Sequence, residues 1–360
     1  MNNTEQSPTV VKRESKNRIK VEFERTSLLQ RLRAKYISVF FLQRVVWVIF
    51  RFVLLVGISY IVVFPFFAKI TGSIMSPEDF IDNMVKMVPR APTLNTYRGI
   101  IIENDYWKAL GNSAVLSTLC AVAQMFICTL IGYGFAKFKF KGSKLVFGLV
   151  LFSLIIPHQT LQFSMFMKFR YFDIDIGLGT FKVGIYEIIR RAMGFTAPKD
   201  LALNLINSYF PLALLSLTGF GFKNGLYIFI MRQFFKGIPD ELEEASYVDG
   251  GGVFRTYFTI ILPNAIPMMV TIFLFAFTWQ WTDDFYINLF TTDTGPYLIP
   301  KIVKVPRSLV QTPNAILAGT MYQSAIRNTC GLMIIAPIIG VYFVGQRFLI
   351  QGIERTGVVG

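Results

Sequence analysis

The sequence predicts an all-α integral membrane protein of about six transmembrane helices, with both termini on the cytoplasmic side. Three observations lead there. The 360 residues are 53% hydrophobic and 16% charged, with a mean hydropathy of +0.49, whereas soluble domains carry about 25% charge. The apolar residues gather in long blocks almost free of charge. The basic residues gather between those blocks, where they anchor membrane helices.

The chain begins with a polar, basic stretch, 1–46, read as a cytoplasmic tail. Residues 1–26 lack the early apolar run of a cleaved signal peptide. From Leu28 to Phe41 the pattern changes. Leu28, Leu29, Leu32, Tyr36, Val39 and Phe40 keep helical spacing around Arg31, Arg33 and Lys35, which predicts a basic amphipathic helix at the membrane surface.

The membrane domain, 47–360, follows. A spanning helix needs about 20 mainly apolar residues, because each adds about 1.5 Å and lipid offers the backbone no hydrogen bonds. Blocks at about 47–68, 112–136, 145–167, 203–231, 264–282 and 328–346 meet that need. Gly219, Gly221 and Lys223 interrupt the fourth.

Basic flanks orient the spans. Ten Lys and Arg lie in the N-terminal 46 residues, and Lys137, Lys139, Lys141 and Lys144 follow the second block without an acid. Both stretches are then cytoplasmic, with two spans between them. The regions at about 69–110, 168–200 and 283–327 face outward. The second holds Arg190, Arg191 and Pro198, with a short helix expected near Gly184–Arg191.

Several function classes drop out. The net charge of +14 is explained by membrane anchoring rather than by nucleic acid. Cys120, Cys128 and Cys330 are dispersed in or beside apolar blocks and form no disulfide framework. With one histidine, His158, there is no set of ligands for a protein-built metal site. No Gly-Lys dipeptide occurs, hence no P-loop. An ion-coupled secondary transporter predicts inverted repeats and paired intramembrane acids, and a membrane enzyme needs convergent acids or ligands. Neither pattern is evident.

The loop at 238–263 is the most informative stretch. Pro239 suits a first helical position. Asp240 and Glu241 sit where the helix dipole favours acids. Leu242, Ala245 and Ser246 share one small-residue face. Gly250 can supply a left-handed cap. The chain then re-forms as Val253–Leu262, and Pro263 is expected to stop that second helix. Two short helices joined at Gly250–Gly252 would make a rigid cytoplasmic knob.

Glu244-Ala245-Ser246, Gly250, Ile260 and Leu262-Pro263 resemble the EAA signature of ABC-importer permeases at every spacing, with Ser246 replacing the second Ala. Pro92-Thr93-Leu94-Asn95 with Tyr97, and Asn112-Ser113, resemble the outer loop and second-helix start of maltose-type permeases. Tyr133–Gly142 is similar to their "YAFARFRFRG", Met231–Phe235 to their "LRQFF", and Gln346-Arg347-Phe348, Gly352 and Gly357–Gly360 to their C-terminus. The chain is thereby identified as a member of the maltose-type carbohydrate permeases, on the MalG side of the heterodimer. It departs from them in the long N-terminal extension, in what looks like an insertion at about 168–200, and in Val359 where Lys is usual.

The resemblance implies an ABC type I importer permease fold in the bacterial cytoplasmic membrane and no catalysis by this chain. It implies a second homologous permease subunit, two ATPase subunits that bind ATP and Mg, and an extracytoplasmic solute-binding protein. Glu243, Glu244, Ala245, Ser246, Asp249, Gly250, Ile260, Leu262 and Pro263 would couple to the ATPase. The solute would be a sugar or oligosaccharide; the coupling signature alone also allows a non-sugar solute. Sugar sites combine aromatic faces with amides and carboxylates, so His158, Gln159, Gln162, Trp279, Gln280, Trp281 and Asp283 are the substrate-path candidates, against a packing or interfacial-anchor role for the same residues.

Overall fold

The structure is a computed structural model that describes residues 39–172, 175–178, 181–184, 204–221, 223–292 and 294–357. The tail 1–38, most of the predicted amphipathic helix, Arg190, Arg191, Pro198 and Val359 lie outside the described residues, as does the helix expected near Gly184–Arg191 beyond its first residue.

Helix α1, Val39–Ser73, is one long apolar run containing Pro65. Every side chain from Val46 to Phe66 is exposed, which suits a helix whose solvent is lipid. Arg51 lies over the Trp47 ring, 5.4 Å from its centroid.

The unit from Phe67 onward is organised around helix α4. Short helices α2 (Pro77–Ile81) and α3 (Asn95–Glu103) lead to α4, Tyr106–Lys137. Helices α5 (Ser143–Ser153) and α6 (Gln162–Arg170) come next, with a 3₁₀ turn, His158–Leu161, between them. After strands β1 (Asp175–Leu178) and β2 (Phe181–Gly184) follow α7 (Phe210–Leu217), α8 (Asn224–Lys236), α9 (Glu241–Val248), α10 (Val253–Thr256) and α11 (Leu262–Trp281). Helices α12 (Phe285–Phe290), α13 (Arg307–Val310) and α14 (Pro313–Gly357) complete the chain, the last kinked at Gly319. Helix α4 packs on α8 and α11, and α11 packs on α14. Gly132 makes the first contact close, since a Cβ there would lie 2.6 Å from Met231 Cβ. Tyr227, Met231, Phe235, Ile261, Met268, Ile272 and Cys330 fill the core between these helices.

Two expected spans are not single helices. Pro157 has no N–H and biases the residue before it away from helix, and the third block bends by 93° between Ser143–Ser153 and His158–Arg170. The fourth splits into α7 and α8, because Gly219 at φ +81° and Lys223 at φ +64° take left-handed backbone between them. Among the described residues four helices are long and apolar enough to cross a membrane, or five if the bent pair counts as one span, against the six expected. One short antiparallel hairpin, β1–β2, with Ile176 opposite Val183, is added to an otherwise all-helical membrane protein.

The two ends of α4 hold different loops. At its N-terminal end, Asn104 Nδ2 donates to the carbonyls of Ile302 and Lys304, both at 2.8 Å, and Ser113 Oγ accepts from Ile299 N at 2.7 Å. The Glu103 carboxylate accepts from the backbone N–H groups of Arg307 and Ser308; the Ser308 side chain first, and these N–H groups after it, hold the carboxyl below the usual carboxylate range. At the opposite end, Lys137 meets the loop after α8.

Candidate functional site

The knob is a closed piece of backbone logic. Pro239 lies just before the N-cap, Asp240, rather than at the first helical position, and Glu241, Glu243 and Glu244 occupy the first turn of α9. There they face the positive end of the helix dipole. At the other end Gly250 has φ +79°. Gly251 N donates to Ser246 O at 2.8 Å and Gly250 N to Tyr247 O at 3.1 Å. That pair of bonds around a left-handed glycine is the Schellman cap, which only a residue without Cβ enters at little cost.

Side chains then lock the two helices. Ser246 Oγ and Thr256 Oγ1 are 2.8 Å apart and buried. A Cβ on Gly251 would lie 2.6 Å from Ser246 Oγ, so the second glycine is set by close approach rather than by backbone angle. The second helix does not stop at Pro263. Helix α10 runs through a π turn, Tyr257–Ile261, directly into α11. Leu262 N bonds Tyr257 O, five residues back, and Pro263 follows in the first turn of α11, where a missing N–H leaves least unpaired. The knob is thus a continuation of the fifth predicted span.

The nine predicted coupling residues divide between two faces. Glu244, Ala245, Asp249 and Gly250 are exposed on the knob, as is Pro263 beside it. Glu243 and Ser246 point inward and are buried, and Ile260 and Leu262 are half-buried. The small-residue face built on Leu242, Ala245 and Ser246 is therefore not one surface, because the Ser246 hydroxyl is spent on Thr256. Val248 and Phe254 stand out instead, 87% and 78% exposed.

Beneath the knob lies a residue that sequence reasoning assigned only to membrane anchoring. Lys137 closes α4, and its side chain is 7% exposed. Its ammonium donates to Ile238 O at 2.8 Å and to Asp240 Oδ1, and Glu243 Oε1 lies 3.7 Å away. The Lys137 hydrogen bond and charge hold the Asp240 carboxyl down. Burial pushes the Glu243 carboxyl up, with Lys137 opposing. The Tyr133 ring packs beside it on Tyr257, Phe235 and Phe138, with centroids 4.9, 5.5 and 5.6 Å away.

The substrate-path candidates do not form one cluster. Trp281 is buried, and its Nε1 donates to Ile334 O at 3.0 Å, so it is a packing residue. Gln159 and Gln162 are exposed. His158 Nδ1 lies 3.0 Å from Tyr286 Oη. Both line a cavity of about 650 Å³ with Lys223 and Asn224, where the two broken blocks face each other. Trp279, half-exposed, has Lys223 Nζ 5.0 Å from its ring centroid.

Gln280 and Asp283 meet Gln124 of α4 in a gap too narrow for water. Asp283 Oδ1 accepts from Tyr286 N at 3.2 Å, and Gln124 Nε2 donates to Ser216 Oγ at 3.0 Å. Gln124 Oε1, Gln280 Nε2 and Asp283 Oδ2 are buried without a hydrogen-bond partner among the described residues. Gln124 escaped sequence reasoning, although an amide inside an apolar block is itself the signal that finds such residues.

Comparison with known proteins gives a consistent result. The family described as binding-protein-dependent transport system inner membrane component matches residues 128–354. The arabinooligosaccharides transport system permease protein AraQ of Halalkalibacterium halodurans is 24% identical over 84% of this chain and 93% of its own. The galactooligosaccharides transport system permease protein GanQ of Bacillus subtilis is 22% identical over 88% of this chain and 98% of its own. Among solved structures, a bacterial ABC transporter involved in the import of the acidic polysaccharide alginate has a similar fold. Its TM-score is 0.62 at 18% identity, covering 84% of this chain and 96% of that one.

Proposed function

The chain belongs to the family of binding-protein-dependent transport system inner membrane components, a multi-pass, non-catalytic permease subunit, and from that premise we propose that it lines part of the translocation pathway of an ATP-driven importer of sugars or oligosaccharides. Its knob takes up force from ATPase subunits. The observation that carries this reading is the continuity of the knob with the fifth span: α10, the π turn and α11 form one unbroken helix from Val253 to Trp281. A push on a capped, cross-linked knob then reaches Gln280 and Asp283 without passing through a loop. Rigid-body rocking of the helices between inward- and outward-facing states follows.

The partners are a second, homologous permease on the other side of a heterodimer, two ATPase subunits holding ATP and Mg, and an extracytoplasmic binding protein. The MalG-like place of this chain rests on its sequence motifs. The relatives named for arabino- and galactooligosaccharide transport support a saccharide as solute. So do the amides and aromatic rings of the candidate path. Uptake of radiolabelled arabino- and galactooligosaccharides tests it, in cells whose own uptake systems for them are deleted and that carry the complete system. Wild type accumulates at least one of them, and Glu244→Lys abolishes uptake with membrane insertion intact. Wild-type uptake by a well-folded Glu244→Lys complex sinks the coupling role.

A further inference from the structure

Lys137 performs a task that membrane anchoring does not explain. A lysine that anchors a helix carries its ammonium out to water or headgroups. This one turns inward, and its side chain is 7% exposed. An ammonium offers three donors. Here they face the Ile238 carbonyl at the end of α8, the Asp240 carboxylate at the start of α9 and the Glu243 carboxylate on the inner face of the knob. One side chain therefore ties the end of α4 to the end of α8 and to the first turn of α9. The last turn of α4 favours a cation as well, so the lysine is held from both sides.

The knob joins the membrane body covalently at both ends, through Gly237–Pro239 to α8 and through the π turn to α11. Lys137 joins it also to α4, beside the Tyr133–Tyr257 ring contact. The seam higher up lies between two of these helices: Gln124 is on α4 and Gln280 on α11. A push that moved α11 alone would shear the seam, whereas a push shared with α4 would move both of its walls.

We infer that Lys137 is a positioning residue of the transport cycle, a latch that fastens the knob to α4 so that ATPase-driven movement is delivered to α4 and α11 together. The inference rests on the coupling reading of the knob. A guanidinium keeps the charge and can reach the same acceptors, so Lys137→Arg preserves the latch. Lys137→Gln removes the charge and leaves Asp240 and Glu243 without their cation.

The test uses the complete complex, with its ATPase subunits and binding protein, in lipid nanodiscs. Spin labels are placed at Val248→Cys on the knob and Lys141→Cys beyond α4, both exposed. Distances are measured without nucleotide and with Mg-ATP and vanadate. Wild type and Lys137→Arg give one narrow distance in both conditions. In Lys137→Gln the nucleotide shifts or splits the distance, and binding-protein stimulation of ATP hydrolysis falls at least tenfold. A single narrow distance in Lys137→Gln under both conditions, with normal stimulation, overturns the latch. A variant that merely misfolds is broadened equally with and without nucleotide. In that event, or if the complex fails to assemble, Asp240→Ala, an exposed site whose carboxylate accepts directly from Lys137, is measured in its place. A nucleotide-dependent shift there supports the latch, and wild-type behaviour overturns it. Wild-type uptake by Glu244→Lys sinks the coupling reading separately, whatever the Lys137 variants do.

Discussion

The knob and the mid-span seam are built on opposite terms. In the knob most polar groups have a partner: the Schellman cap closes α9, Ser246 meets Thr256, and Lys137 bonds a carbonyl and the Asp240 carboxylate, while Glu243 Oε1 is paired with it by charge alone at 3.7 Å. In the seam, Gln124, Gln280 and Asp283 each bury an atom with no partner among the described residues. Partnered networks rigidify, and partly partnered ones cost free energy in the state that leaves them so. A lever must not bend and a pathway must open, so the contrast matches a division of labour along one continuous helix.

Gly250→Pro is the most severe way to break the contrast. Proline cannot take φ +79°, so the cap is lost and the two helices separate. Uptake falls to background in a transport assay while the protein still reaches the membrane. Gly251→Val follows. Its Cβ collides with Ser246 Oγ and O, overpacking that costs about 1–3 kcal/mol. Limited proteolysis between Ser246 and Thr256 reports it, with severalfold reduced uptake.

Gln280→Leu sharpens the contrast from the other side. Replacing a buried amide that has an unpaired donor relieves a penalty of about 1–3 kcal/mol, so the purified complex melts higher while uptake drops. A variant that melts lower would mean that the seam is satisfied as it stands. Ser246→Ala has the smallest effect. It removes one hydrogen bond, about 1 kcal/mol, and restores the Ala found in the signature. Transport stays near wild type, with a slightly lowered melting temperature.

The parts legible in the sequence are those whose cause is local. Gly250 announces a left-handed turn, the acids of 240–244 announce a helix start, and charge-free runs announce spans. The helices around α4 and α11 follow from composition alone. The break in the third block was harder to see, because hydropathy sums over a window and is blind to Pro157 turning the chain, whereas Gly219, Gly221 and Lys223 already mark the interruption of the fourth. Pro263 misled for a related reason. Proline stops a helix in its interior but starts one in the first turn, and only the π turn before it decides which. Lys137 and Gln124 depend on partners roughly 90 to 100 residues away in sequence. Nothing near them in the chain distinguishes a latch from an anchor, or a seam from a core.

The π turn at Tyr257–Ile261 has an angular consequence. Such a turn carries one residue more than an α turn, and one residue corresponds to a rotation of about 100° around the helix axis. The azimuth at which Gln280 meets Gln124, measured against the exposed face that carries Glu244, is therefore fixed by a single surplus residue. Deleting one residue there would leave both the knob and the span helical yet swing Gln280 roughly 100° out of the seam. The phase between crank and shaft is written in five residues, of which one, Ile260, belongs to the predicted coupling set.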